Sequence, residues 1–175
     1  MCANGFSQYM PSLVPSLSID INIQQQTLTL LKGRQPWLCY RVSTALNGVG
    51  EKEGSGCTPR GRHIVRAKIG QGQPVHSVFV GRRPTGEIFS NKLAKQYPKR
   101  DWILSRILWL SGTEIGINRM GDVDTMRRFI YIHGTPESEP MGVPLSHGCI
   151  RMKNVDIVDL FDRVSVGTVT TIIES

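Results

Sequence analysis

The run Ser146-His147-Gly148-Cys149-Ile150-Arg151, with a second histidine sixteen residues before the cysteine in His133-Gly134-Thr135, holds the parts of an activated sulfur nucleophile. A free thiol, with a pKa of about 8.5, is only a few per cent ionised near neutrality and needs a base or a positive field to attack a carbonyl. A histidine remote in sequence can be brought alongside by the fold, and His133 is taken as that base. His147, only two residues from the thiol, is expected to turn to the opposite face of an extended segment. Gly148 lets backbone approach a substrate closely, and the N–H groups of His147, Gly148 and Cys149 can converge on a developing oxyanion. Losing one such donor typically lowers turnover by roughly 100- to 1,000-fold. The carbonyl of Gly134 can hold the His133 ring from behind, the task of the acidic side chain in serine triads. The chemistry that these parts fit is acyl transfer through a thioester.

Simpler readings exist for each residue. A cysteine beside a glycine is often a small buried hydrophobe. Zinc would use His133, His147 and Cys149, but no fourth ligand is evident at a spacing that a turn can close, so neither metal nor cofactor is expected. Ser146 reads as a turn residue that orders its neighbours. Arg151, beside the thiol, is either a surface charge or a bidentate seat for a substrate carboxylate. His63 lies in the alternating run Arg62 to Ala67 as a sheet-face residue, and neither it nor His76 joins the set.

The stretch from His133 to Arg151 resembles the signature of the YkuD-type L,D-transpeptidase family: a histidine, a gap, Ser or Thr, then His-Gly-Cys, an apolar residue, and Asn or Arg. The likeness continues more loosely through Ser43-Thr44-Ala45, Thr58-Pro59-Arg60-Gly61, Ile103 to Leu110 and Tyr131-Ile132, and the gap of twelve residues between His133 and Ser146 is short for the family. The resemblance implies a mainly β, sandwich-type catalytic domain over residues 17–175, with 1–16 as a flexible amino-terminal segment. It also implies attack by Cys149 on the bond between the third residue of a peptidoglycan stem, commonly diaminopimelate, and the D-alanine at position four. Tyr131, Ser146 and Arg151 are taken as substrate-binding, and carbapenem-type β-lactams as possible covalent inhibitors. Water as acceptor gives an L,D-carboxypeptidase; an amine from another stem gives a transpeptidase.

A chain of 175 residues with 39% hydrophobic content fits one domain that buries about 70% of its unfolded surface. Four cysteines without framework spacing, one of them assigned to catalysis, leave an odd number and favour a reducing compartment. The first Lys or Arg is Lys32, which is not how a secretory signal begins, and no apolar run reaches the roughly 18 residues of a membrane span. A cytoplasmic location is therefore expected, with recycled murein tetrapeptides as substrate and water as acceptor. The net charge of +7 suits substrates carrying several carboxylates, and no nucleic-acid motif accompanies it.

Elements follow from periodicity. A hairpin is expected at Leu17 to Ile23 and Thr27 to Leu31, with strands at Trp37 to Thr44, Arg62 to Ile69, Ser77 to Val80, Ile103 to Leu110, Phe129 to Ile132 and Thr168 to Ile173. One clear helix follows the cysteine, with Asn154 as its cap and Ile157, Leu160, Phe161 and Val164 as its apolar stripe. Residues 91–101 and 112–124 are the expected walls of the substrate groove.

Overall fold

The computed structural model describes residues 16–175, so the expected flexible segment 1–16 lies, apart from Ser16, outside the described residues. Ten strands form one hydrogen-bonded sheet: β1 (Leu17–Asn22), β2 (Thr27–Lys32), β3 (Gln35–Arg41), β4 (Gly61–Ile69), β5 (Ser77–Val80), β6 (Arg83–Ile88), β7 (Ile103–Gly112), β8 (Tyr131–Gly134), β9 (Ile150–Met152) and β10 (Val169–Ile173). Two helices accompany them, α1 (Asn91–Gln96) and α2 (Asn154–Arg163).

The main path runs β3-β2-β1-β10-β4-β7-β5-β6 and forks at β7, which also pairs with β8; β8 in turn carries β9. The fork is possible because β7 is long and irregular. Its register shifts between Leu104 and Ile107, where Ser105 sits at φ 65, so its first residues pair with β5 and its later ones with β4 and β8. Such bulges bend a strand and re-aim its side chains.

Alternation decides the faces. Ile19 and Ile21 of β1, Leu28 and Leu30 of β2, Leu108 and Leu110 of β7, Ile132 of β8, and Ile150 and Met152 of β9 enter one core with Ile157, Leu160 and Phe161 of α2. Lys68 closes the far end of α2 by donating Nζ to the carbonyls of Phe161 and Val164, both at 2.6 Å, where the negative end of the helix favours a cation.

Some expectations needed correction. β6, Arg-Pro-Thr-Gly-Glu-Ile, has no apolar alternation, and β9 has three residues, so periodicity gave no sign of either. The third strand ends at Arg41 rather than Thr44, because Ser43 to Leu46 leave it to pair with the cysteine segment. Asn154 does not cap α2. Lys153 takes the cap position without a side-chain bond, and the buried Asn154 amide faces inward to Ser105, Thr135 and Glu137. Residues 91–101 form α1 and a turn whose Pro98 to Asp101 do line a cavity at Arg151, whereas residues 112–124 brace the loop 47–60, with Glu53 N–H donating to Asp122 O at 2.6 Å.

Candidate active site

Parallel pairing of β8 with β9 sets His133 beside Arg151 and Ile132 beside Ile150, which puts Cys149 level with Tyr131. Ile132 and Ile150 point into the core, so Tyr131, His133, Cys149 and Arg151 share the opposite face. The cysteine segment is held on its other flank by Ser43 to Leu46: Ser43 and Arg151 exchange backbone bonds at 2.9 Å, Ser146 N–H donates to Thr44 O, and Leu46 N–H donates to Ser146 O. The tip carrying the thiol is thus clamped from both sides.

Within the tip, Ser146 Oγ donates to Cys149 O at 2.5 Å and accepts from Gly148 N–H at 3.2 Å. Thr58 Oγ1 donates to Gly148 O at 3.0 Å while accepting from Ala45 N–H at 3.0 Å. Gly148 sits at φ +129, and a Cβ there would lie 3.1 Å from Ile130 Cδ1 and 3.3 Å from Cys57 O, so the position requires glycine. Of the three N–H groups expected to face an oxyanion, that of Gly148 is turned onto Ser146, leaving those of His147 and Cys149. His147 itself is exposed. The face argument made for it from sequence was mistaken in form, since side chains two apart on a strand share a face; the break at Gly148 is what separates His147 from the thiol.

Cys149 Sγ accepts from Tyr131 N–H at 3.4 Å and donates to Phe129 O at 3.5 Å. Burial pushes the thiol up to about 12, against the opposing pull of Tyr131 N–H and the charges of Arg151 and Arg128; Asp101 adds to the rise. His133 is buried, and its Nδ1–H donates to Gly134 O at 2.8 Å, because a carbonyl can only accept. Burial also lowers the His133 pKa, against that same hydrogen bond. Both shifts favour the uncharged forms, a neutral thiol and a neutral imidazole whose unprotonated nitrogen is Nε2. Gly134 is as constrained as Gly148: a Cβ on it would meet Asn154 Oδ1 at 2.6 Å and Leu104 O at 2.7 Å.

Arg151 lies on the floor of a cavity of about 250 Å³ lined also by Pro98 to Trp102, Thr135, Glu139 and His147. Its guanidinium pairs with Asp101 at 3.0 Å and Glu139 at 3.6 Å and donates to Leu145 O at 3.3 Å. A second cavity, about 420 Å³, opens on the other side of His147 between Glu53, Arg128 and Phe129. Cys39, Cys57 and Cys149 are free thiols, and His63 is buried elsewhere on β4, with Nε2 3.1 Å from Thr125 Oγ1. Among the described residues no three His, Cys, Asp or Glu side chains gather as a metal site.

Sequence reasoning missed three supports of the site. Arg128 donates to the carbonyls of Gly50, Glu51 and Cys57 and to Ser55 Oγ, folding the 47–60 loop against the thiol. Arg82 donates to Tyr131 Oη at 3.0 Å. Asp101 pairs with Arg151. None carries a local pattern that marks it; Thr58, whose hydroxyl holds Gly148, lies in the Thr-Pro-Arg-Gly stretch that shares the family likeness.

The domain is a β-sheet that sets a cysteine and a histidine on one face of two adjacent parallel strands, the residue types that a cysteine acyl-transfer site would use. The L,D-transpeptidase catalytic domain, YkuD, matches residues 16–173, and the chain belongs to that family. Among curated proteins it is 49% identical over 41 residues to a probable L,D-transpeptidase YbiS of Escherichia coli, covering 23% of this chain and 13% of that protein. It is 44% identical over 54 residues to a putative L,D-transpeptidase YqjB of Bacillus subtilis, covering 31% and 29%. The L,D-transpeptidase LdtMt1 in complex with imipenem superposes with a TM-score of 0.55 at 19% identity over 91% of this chain and 59% of that one. Bd1075 of Bdellovibrio bacteriovorus does so at 0.57 and 14% over 94% and 49%. The matches thus span less than two thirds of these relatives, and the structural ones establish the fold.

Proposed function

We propose that the chain is an L,D-peptide bond acyl-transfer enzyme acting on peptidoglycan stem tetrapeptides, with Cys149 as nucleophile and His133 as base. The observation that carries the reading is the His133 tautomer: Nδ1–H is committed to Gly134 O at 2.8 Å, which leaves Nε2 bare on the face that bears Cys149. The Cys149 thiol adds to the carbonyl of the third stem residue as its proton passes to His133. The N–H groups of His147 and Cys149 stabilise the oxyanion, and collapse breaks the bond to D-alanine, whose amine takes the proton from His133. A thioester at Cys149 remains. In this reading Ser146 fixes the tip, Tyr131 forms the wall beside the thiol, and Arg151 with Asp101 and Glu139 forms the floor of the adjoining cavity.

Water is the proposed acceptor, giving an L,D-carboxypeptidase; hydrolysis needs only access to the thioester, and Cys149 is partly exposed. One observation favours an amine acceptor instead: His147 borders two separate cavities, one for each of two peptides. Incubation with a murein tetrapeptide, alone and with an amine acceptor, followed by mass spectrometry tests both. Tripeptide marks hydrolysis and a cross-linked or exchanged product marks transpeptidation. Cys149→Ala is expected to abolish both, and the reading fails if the unmutated protein yields neither or if the variant stays active. A carbapenem adduct at Cys149 is expected as well; among the structural relatives LdtMt1 is described in complex with the carbapenem imipenem.

A further inference from the structure

Arg128 and Arg151 lie near the thiol and Arg82 reaches the side chain of Tyr131 next to it, and the three differ in what they already hold. Arg128 is spent on three carbonyls and a hydroxyl of the 47–60 loop. Arg151 is neutralised by Asp101 and Glu139 and also donates to Leu145 O. A substrate carboxylate at Arg151 would meet two carboxylates in place, and one at Arg128 would have to displace the loop.

Arg82 is different. It is the second residue of the two-residue turn Gly81-Arg82 between β5 and β6, with φ values of 55 and 67, the geometry of a tight type I′ hairpin. The turn aims its guanidinium at the site, 4.5 Å from the centroid of Trp109 and 4.9 Å from that of Phe129, with Nη1 donating to Tyr131 Oη at 3.0 Å. Tyr131 and Phe129 are also the residues whose backbones touch Cys149 Sγ, so Arg82 and the thiol flank the same wall. Arg82 takes no part in the ion pairs of the described residues. A guanidinium stacked on aromatic faces keeps its edge N–H groups available, and of five donors one is used on the phenol oxygen. The aromatic rings and the phenol preorganise the fork, which lowers the ordering cost of a bidentate contact.

We infer that Arg82 is the specificity-determining residue of this site, receiving a carboxylate of the acyl-donor peptide beside Cys149; the inference rests on the acyl-transfer reading above. Of the carboxylates on a stem tetrapeptide, two belong to the residues that flank the scissile bond, that of the terminal D-alanine and that on the diaminopimelate side chain. The shared chemistry is one carboxylate in one guanidinium fork.

The experiment measures kcat/KM for the unmutated protein, Arg82→Gln and Arg82→Lys on three peptides: the tetrapeptide acid, its carboxy-terminal amide, and the peptide amidated on the diaminopimelate side chain. Loss of a charge-assisted contact predicts a fall of roughly 10- to 150-fold for Arg82→Gln on the acid, carried mainly by KM, with partial recovery in Arg82→Lys. One of the two amides has already lost the contact and declines far less in Arg82→Gln, and which one it is identifies the carboxylate. Equal declines on all three peptides would show that Arg82 merely pins the hairpin, and an unchanged acid substrate would show that it does not bind substrate; both overturn the inference. If the unmutated protein cleaves none of the three, the acyl-transfer reading itself falls and this inference with it, an outcome distinct from both of the others.

Discussion

Replacing Asn154 by leucine keeps the volume of a fully buried side chain and removes its amide. Asn154 Oδ1 accepts from Ser105 Oγ at 2.6 Å, and Nδ2 donates to Thr135 O at 2.7 Å and Glu137 Oε1 at 3.0 Å. Ser105 is also fully buried and Thr135 nearly so, so the substitution strands a hydroxyl donor and a carbonyl acceptor where water does not reach. Each stranded group costs about 1–3 kcal/mol, while the exposed Glu137 returns to solvent at little cost, giving an expected loss of about 3 kcal/mol. Against a domain stability of about 5–15 kcal/mol and a urea slope of about 1–3 kcal/mol per molar, the midpoint should drop by about 1–3 M with an unchanged slope. The same network locates Gly134 and Thr135, and through the Gly134 carbonyl the His133 ring, so tetrapeptide turnover should fall in the surviving folded fraction. Ser105→Ala supplies the internal check. Because its hydroxyl bonds Asn154, the two substitutions should be non-additive by about 1–2 kcal/mol. A stability loss under about 0.5 kcal/mol in Asn154→Leu, or strictly additive effects, would refute the claim that this buried amide organises the end of β8.

The remaining predictions concern protons. Alkylation of Cys149 by iodoacetamide should accelerate about tenfold per pH unit from pH 6 to 10, because burial holds the thiol up to about 12; a plateau near neutrality would reveal a resting thiolate–imidazolium pair instead. His63 is depressed to about 4 by burial, from an ordinary 6.5 in the unfolded chain. It contributes stability that is present above pH 6.5 and lost as pH falls toward 4, because the unfolded state binds the proton first. The loss is about 3 kcal/mol across that window, measurable by urea titration at stepped pH, and His63→Gln should flatten it; an unflattened profile would place the acid sensitivity elsewhere.

Much of the scaffold is legible locally. Ile19, Ile21, Leu28 and Leu30 alternate as half-buried strands must, and the stripe Ile157, Leu160, Phe161 repeats at helical spacing because one face of α2 meets the core. β6 and β9 were invisible for a physical reason: a six-residue edge strand carrying Pro84 and Gly86 buries little, and a three-residue strand exists only because β8 and Ser43 flank it. Asn154 looked like a cap because its residue type prefers caps, but its amide gains more from buried partners across the chain.

The sequence by itself singled out the proposed reactive set. Cys149, His133, Gly134 and Gly148 announce themselves by type and spacing, since sulfur nucleophilicity, a free imidazole nitrogen and the absence of a side chain are properties that a residue carries wherever it sits. What each group does at the site was decided only by the tertiary structure. Charges interact through space and not along the chain, so Arg151, adjacent to the motif, turned out to be paired with Asp101 and Glu139. Arg82, 67 residues from Cys149, reaches the wall of the thiol with its fork open because two strands and a tight turn bring it there.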